Sequence, residues 1–193
     1  MEPIRLEEIL SPEEYERIRP EVRRRIMALK ARRRVPLGEH ATLHFETRET
    51  MWYQVHEMLR AEGSWAKPGA AAAELEAYNP LIPAAGELSA TLMFEYESAA
   101  ERAVKLSQLV GIEGRLKLLI GDAPPVAAVF DAAQASPTRI SSVQYVKFPL
   151  TALHGELLRQ EGSVVKVILD HPAYKAQAVL GEETRRELAA DLL

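Results

Sequence analysis

The spacing of apolar residues changes period several times along this chain, and each change marks an element. Between residues 12 and 34, Ile18, Val22, Ile26 and Leu29 recur at intervals of four, four and three, as one buried face of a helix requires. Ser11 ahead of Pro12, with Glu14 three residues on, is a capping box that starts this segment. Pro20 has no backbone donor and predicts a break or restart between a short helix and a longer one, which Pro36 and Gly38 close. Residues 40–46, HATLHFE, then alternate: Ala41, Leu43 and Phe45 share one face, and Thr42, His44 and Glu46 the other. That pattern predicts a half-buried strand.

Residues 49–62 return to helical spacing. Projected at 100° per residue, Met51, Trp52, Val55, Met58 and Leu59 form a core-facing arc, and Thr50, Gln54 and Glu57 form a polar stripe opposite it, flanked by Tyr53 and Arg60. Pro68 and Gly69 open an alanine-rich helix to about Ala77, and the prolines of YNPLIP end it. From Glu87 the pattern becomes strand-like. ELSATLMFEYE, GRLKLLIG, PVAAVFD, ISSVQYVKF, SVVKVILD and QAVL read as strands, with helices at about 98–110, 150–161 and 182–192; Ser98 and Thr151 cap the first two helices. The connections at Gly121–Pro125 and Asp131–Ser141 contain no crossover helix. The expected class is therefore α+β: a largely antiparallel sheet of about five to seven strands, an N-terminal helical segment and packed helices. The length fits one domain, residues 1–193, with 1–84 mainly helical and 85–193 rich in strands.

Composition narrows the chemistry. A hydrophobic share of 47% with 27% charged residues supports a globular core rather than disorder. The absence of cysteine removes disulfides, thiolate metal sites and a cysteine nucleophile. No leader pattern and no bilayer-spanning apolar run occurs, so the sequence predicts a cytoplasmic protein without membrane attachment. A net charge of −4 argues against nucleic-acid binding over the whole surface. The exception is the stretch from Arg17 to Arg34, where nine Lys and Arg face a single acid, Glu21. It could hold phosphates, or it could be the solvated face of a helix; no aromatic residues interleave to stack bases.

Candidate chemistry concentrates between His44 and Pro83. His44 and Glu46, roughly 7 Å apart along a strand, could converge on a metal ion, with Glu57 or His56 as a third ligand. A buried Glu57 could serve as a general base, although no nucleophile or oxyanion arrangement accompanies it. Alternatively, Glu46, Arg48, Glu57 and Arg60 could lock helix to strand through ion pairs. Tyr78 and Asn79 could end the helix through an Asn turn while Leu81 and Ile82 fill a core gap, or could wall a pocket. His171, with Asp170, reads as ordering a turn, and His40 and His154 as surface residues. No GxSxG, HExxH, P-loop or GxGxxG pattern is present.

The succession YERIRPEVRRRIMALKARRRV, FETRETMWYQVHEMLRAE, YNPLIP, ELSATLMFEYE, VQYVKFPL and DHPAY resembles the bacterial family catalogued as domain of unknown function 3501, in order and over nearly the full length. The resemblance implies an accessory or interaction protein more than an enzyme. It also implies a protein partner, a homo-oligomeric state and a setting near iron-sulfur or rubrerythrin-like redox systems. Carried onto this chain, the family pattern marks Phe45, Glu46, Thr50, Gln54, Glu57, Met58, Arg60, Glu62, Tyr78, Asn79, Pro80, Leu88, Thr91 and Glu95. His44 and His56 fall outside it. A carboxylate set of Glu46, Glu57 and Glu95 would remain, suited to magnesium, manganese or iron. A small-molecule enzyme centred on Glu46 and Glu57, and nucleic-acid binding through the arginine stripe, are the alternatives.

Overall fold

The computed structural model describes residues 1–134 and 136–192. These form six α-helices and nine strands: α1 (Pro12–Arg33), β1 (Arg34–Leu37), β2 (Ala41–Glu46), α2 (Arg48–Glu62), α3 (Ala70–Tyr78), β3 (Glu87–Phe94), α4 (Ala99–Gln108), β4 (Leu116–Ile120), β5 (Val126–Ala127), β6 (Val129–Phe130), β7 (Val143–Pro149), α5 (Ala152–Arg159), β8 (Val165–His171), β9 (Tyr174–Val179) and α6 (Glu182–Ala190). The protein is α+β, and every strand pair is antiparallel.

The strands divide into two sheets, of order β1-β2-β3-β7-β6 and β5-β4-β8-β9. Their inner faces share one core. Leu43, Phe45, Leu88, Leu92, Val146 and Phe148 of the first sheet pack with Leu116, Leu118, Val167 and Leu169 of the second, and with Leu106, Leu158 and Leu188 of α4, α5 and α6. Each such side chain, fully buried, contributes roughly 1.5–3 kcal/mol. The other face of the five-stranded sheet carries Thr42, His44, Glu46, Thr91 and Tyr145, as strand alternation dictates, and the N-terminal helices cover it. In that helical layer Met51, Val55 and Leu59 of α2 pack on Leu75, Leu81 and Ile82.

Three local expectations are corrected. Helix α1 runs through Pro20 without interruption; Tyr15 before the proline and Val22 and Ile26 after it are all buried, so packing on both sides outweighs one missing hydrogen bond. Residues 34–37 form an edge strand, where the absent Pro36 donor is tolerated. PVAAVFD is two short strands in different sheets, because the chain crosses from one sheet to the other at Ala128.

The sheets are tied at one edge by Tyr174 of β9. Its hydroxyl donates to the Leu37 carbonyl (2.6 Å) and accepts from the His40 amide (3.0 Å). Gly38 makes this possible. Its φ is +72°, and a Cβ there would lie 2.9 Å from the Tyr174 hydroxyl.

Candidate functional site

The covered sheet face is not filled. A cavity of about 280 Å³ lies between it and the helices, lined by Lys30 of α1, Met51 and Gln54 of α2, Tyr78 at the end of α3, Leu81 just after it, and His44, Glu46, Thr91, Met93, Val143 and Tyr145 of the sheet. The floor follows from register: His44 stands opposite Thr91, which stands opposite Tyr145.

Glu46 is the buried charge of this cavity, with 5% of its surface exposed. Thr50 Oγ1 donates to its Oε2 at 2.6 Å and Thr91 Oγ1 to its Oε1 at 2.7 Å. Thr50 is placed by the N-terminus of α2, where the Thr47 hydroxyl accepts from the Thr50 amide and Thr50 Oγ1 accepts from the Thr47 amide. Among the described residues no cation pairs with Glu46. Its carboxylate has acceptor capacity beyond the two hydroxyls, so it can take a ligand donor.

Burial pushes the His44 imidazole below the ordinary histidine value; Glu46 and Glu95 oppose the shift, and Arg34 and Lys30 add to it. The Tyr78 and Tyr145 phenols are both raised, chiefly by burial, and Gln54 lies against Tyr78 while Glu46 and Tyr78 both act on Tyr145. The walls thus combine a carboxylate, a neutral imidazole, two phenols and an ammonium with apolar Met51, Leu81, Met93 and Val143.

A larger depression of about 580 Å³ lies between α1 and α6. Its charges are satisfied within the protein, Arg32 by Glu187 (2.6 Å) and Arg186 by Glu182 (2.9 Å).

With this geometry in place, the chain can be compared with known proteins. The family model "Protein of unknown function (DUF3501)" matches residues 3–192. The chain belongs to that family. No curated protein matches it. Among solved structures, a novel protein of unknown function from Burkholderia pseudomallei K96243 is similar, with 35% identity, a TM-score of 0.90 and 100% of both chains covered.

In this DUF3501 protein the polar stripe of α2 is divided. Thr50 is fully buried on Glu46, and Gln54 lines the cavity. Glu57, two turns on, turns to α1. It accepts from Arg19 Nε (2.7 Å), Arg19 Nη2 (2.9 Å) and the Tyr15 hydroxyl (2.8 Å), and the Arg19 guanidinium holds its carboxyl below the usual carboxylate range. Tyr53, expected beside the stripe, is buried against Val22 and Ile26 of α1. Arg48 and Arg60, expected to lock helix to strand, instead join α2 to the N-terminal stretch and α1, Arg48 to Glu8 (2.6 Å) and Arg60 to Glu16 (2.5 Å), and Glu49 likewise pairs with Arg25 (2.6 Å).

The three carboxylates considered for a metal are likewise dispersed. Glu95 lies at the far end of the sheet, accepting from Thr42 (2.8 Å) and pairing with Arg34 (3.6 Å). Among the described residues, no group of three or more His, Asp and Glu side chains is placed to hold a metal ion. His56, a possible third ligand, is fully buried; its Nε2 accepts from the Leu10 amide at 3.1 Å and its Nδ1 reaches the Trp52 carbonyl at 2.8 Å. Asn79 forms no Asn turn and instead clasps the backbone of Ile4.

Of the other histidines, His171 accepts from the Ala173 amide at 3.2 Å and so orders its turn, while Asp170 pairs with Lys175 instead. His154 is buried, not surface: its Nδ1 caps the Thr151 amide (3.1 Å) and its Nε2 meets the Pro124 carbonyl (2.8 Å). Of the nine cations between Arg17 and Arg34, Arg19, Arg25, Arg32, Arg33 and Arg34 are held in ion pairs within the chain. No described helix is long and apolar enough to cross a membrane.

Sequence reasoning missed Lys30 and Tyr145 as site residues. Their signals were positional. Lys30 follows Val22 and Ile26 at intervals of four, on the inward side of α1, and Tyr145 alternates with the core residue Val146.

Proposed function

We propose that this protein binds a small organic molecule in the cavity between α1, α2 and the five-stranded sheet, with Glu46 anchoring a positively charged or strongly donating group. One observation carries the reading: a carboxylate 5% exposed borders a cavity of about 280 Å³ and has no cationic partner among the described residues. A buried charge without a counter-charge is costly, and a bound cation would offset that cost. Two flanking tyrosines suit the same ligand, since ring faces attract cations.

The role is accessory binding rather than catalysis. The aliphatic hydroxyl lining the cavity, that of Thr91, donates to Glu46 and so helps to hold its carboxylate in place for a bound donor. The test is a thermal-shift screen of wild type and Glu46→Gln against small amines, guanidines and amino acids. At least one compound should raise the wild-type Tm by several degrees and leave Glu46→Gln unmoved. Identical responses of the two proteins to every compound would overturn the reading.

A further inference from the structure

Resting on the reading of this cavity as a ligand site, we propose that its ligand is a small zwitterion with the charge pattern of an apolar α-amino acid, its ammonium on Glu46 and its carboxylate on Lys30. Both residues line the same cavity. Among the described residues neither forms an ion pair, with the other or with any third group. Neighbouring charges are taken up within the chain: Arg19 and Arg25 of α1 pair with Glu57 and Glu49 of α2, and Arg34 of β1 pairs with Glu95. Two opposite charges that share a cavity without collapsing on each other leave room for a ligand that carries the inverse pair.

The arrangement between them is directional. His44 stands on the same face of β2 as Glu46 and two residues before it, and it feels both charges, Glu46 favouring its protonated form and Lys30 opposing it. Lys30 enters the cavity from α1 and Glu46 from the sheet, with Thr50 and Thr91 donating to the Glu46 carboxylate. A simple amine would meet Glu46 but be repelled by Lys30, and a simple carboxylate would meet the reverse. A zwitterion satisfies both groups at once.

Size and lining set the remainder. A cavity of about 280 Å³ has room for an amino acid with a side chain of a few carbons. Met51, Leu81, Met93 and Val143 provide an apolar wall for that side chain.

The experiment is isothermal titration of the full-length protein with L-leucine, L-methionine, 3-methylbutan-1-amine and 4-methylpentanoate, on wild type, Lys30→Gln and Glu46→Gln. Lys30 is half-buried and, among the described residues, donates no hydrogen bond whose loss would orphan a partner, so Lys30→Gln should keep the wild-type melting curve. In wild type, leucine or methionine should bind at least roughly tenfold tighter than the amine, the worth of one charge-assisted hydrogen bond. Lys30→Gln should erase that gap and leave the amine no weaker, and Glu46→Gln should weaken both. Equal binding of amine and amino acid in wild type, unchanged in Lys30→Gln, overturns the role of Lys30 while the Glu46 anchor stands. If none of the four probes binds wild type but another compound raises its Tm in a Glu46-dependent way, the zwitterion class is overturned alone. If no Glu46-dependent ligand exists at all, the ligand site falls with it.

Discussion

The side chain of Asn79 pairs with the backbone of Ile4 as a neighbouring strand would: its Oδ1 accepts from the Ile4 amide at 2.8 Å and its Nδ2 donates to the Ile4 carbonyl at 2.9 Å. Ile4 is buried among Met51, Val55 and Leu75, so this clamp seats the N-terminal segment across α2 and α3. Trp52 and Trp65 complete it, donating to the carbonyls of Glu8 and Leu10, each at 3.0 Å. Asn79→Ala should destabilise the protein by about 1–3 kcal/mol, because two backbone groups lose their partner, and should red-shift tryptophan emission. An unchanged denaturant midpoint with unchanged emission would contradict this.

The same segment makes stability depend on pH through His56. Burial lowers the pKa of this imidazole below its ordinary 6.5, against weaker opposition from the Trp52 carbonyl and Glu57. Its Nε2 accepts from Leu10 and cannot hold a proton without breaking that bond. In the unfolded chain the ring protonates below about pH 6.5 and in the folded chain it resists, so the unfolded state binds more protons. Stability should therefore be level above pH 6.5 and fall as pH drops, by at most about 1.4 kcal/mol per pH unit for each such group. His44, shifted in the same direction by burial, acts in the same window. His56→Gln should flatten the slope measured by urea melts at pH 7 and 5.5, and the double variant with His44→Gln should flatten it further.

Thr50 and Thr91 both donate to Glu46, but their losses should differ. Thr50 also accepts from the Thr47 amide at the start of α2 (2.9 Å), whereas Thr91 has no capping role. Thr91→Val should cost about 1–3 kcal/mol for the weakened solvation of a buried carboxylate, and Thr50→Val about 1 kcal/mol more for the lost cap. Because the two share one acceptor, the double variant should depart from additivity. Equal single-variant costs in chemical denaturation would argue against the cap.

Arg33 links the first helix to the last. It is 2% exposed, pairs with Asp191 and Glu187 and donates to the Phe45 carbonyl at 3.2 Å. Arg33→Ala leaves Asp191, already raised in pKa by burial against the opposing pull of Arg33, without its cation. A loss of about 3–5 kcal/mol is expected. Asp191→Asn, which leaves Arg33 with Glu187, should cost less, and a reversed order in equilibrium melts would refute the assignment.

Much of the candidate site was legible one residue at a time. Alternation in HATLHFE placed His44 and Glu46 on the face away from the core, and helical spacing placed Thr50 and Gln54 on one side of α2. Both placements depend only on local geometry. The grouping of Glu57 with them did not follow, since two turns along the helix the same face meets α1, and the Arg19 guanidinium claims the carboxylate. Lys30 was hidden for the converse reason: in a stripe of nine cations nothing local separates the one that lines a cavity from those that meet acids elsewhere in the chain.

The sequence by itself determined most of the elements and their ends, because the capping box at Ser11, the cap at Thr151, prolines, glycines and the two hydrophobic periods act within a few residues. It also pointed to a largely antiparallel arrangement, since the short connections from β4 to β5 and from β6 to β7 leave no room for a crossover, whereas β2 with β3, β3 with β7 and β4 with β8 pair across long stretches whose direction the tertiary structure set. Only the tertiary structure decided that the strands form two sheets, that Pro20 lies inside a continuous helix, and that Glu46 and Lys30 face one cavity without touching. Those outcomes depend on contacts between residues far apart in the chain, where burial and charge pairing between packed layers outweigh local preference.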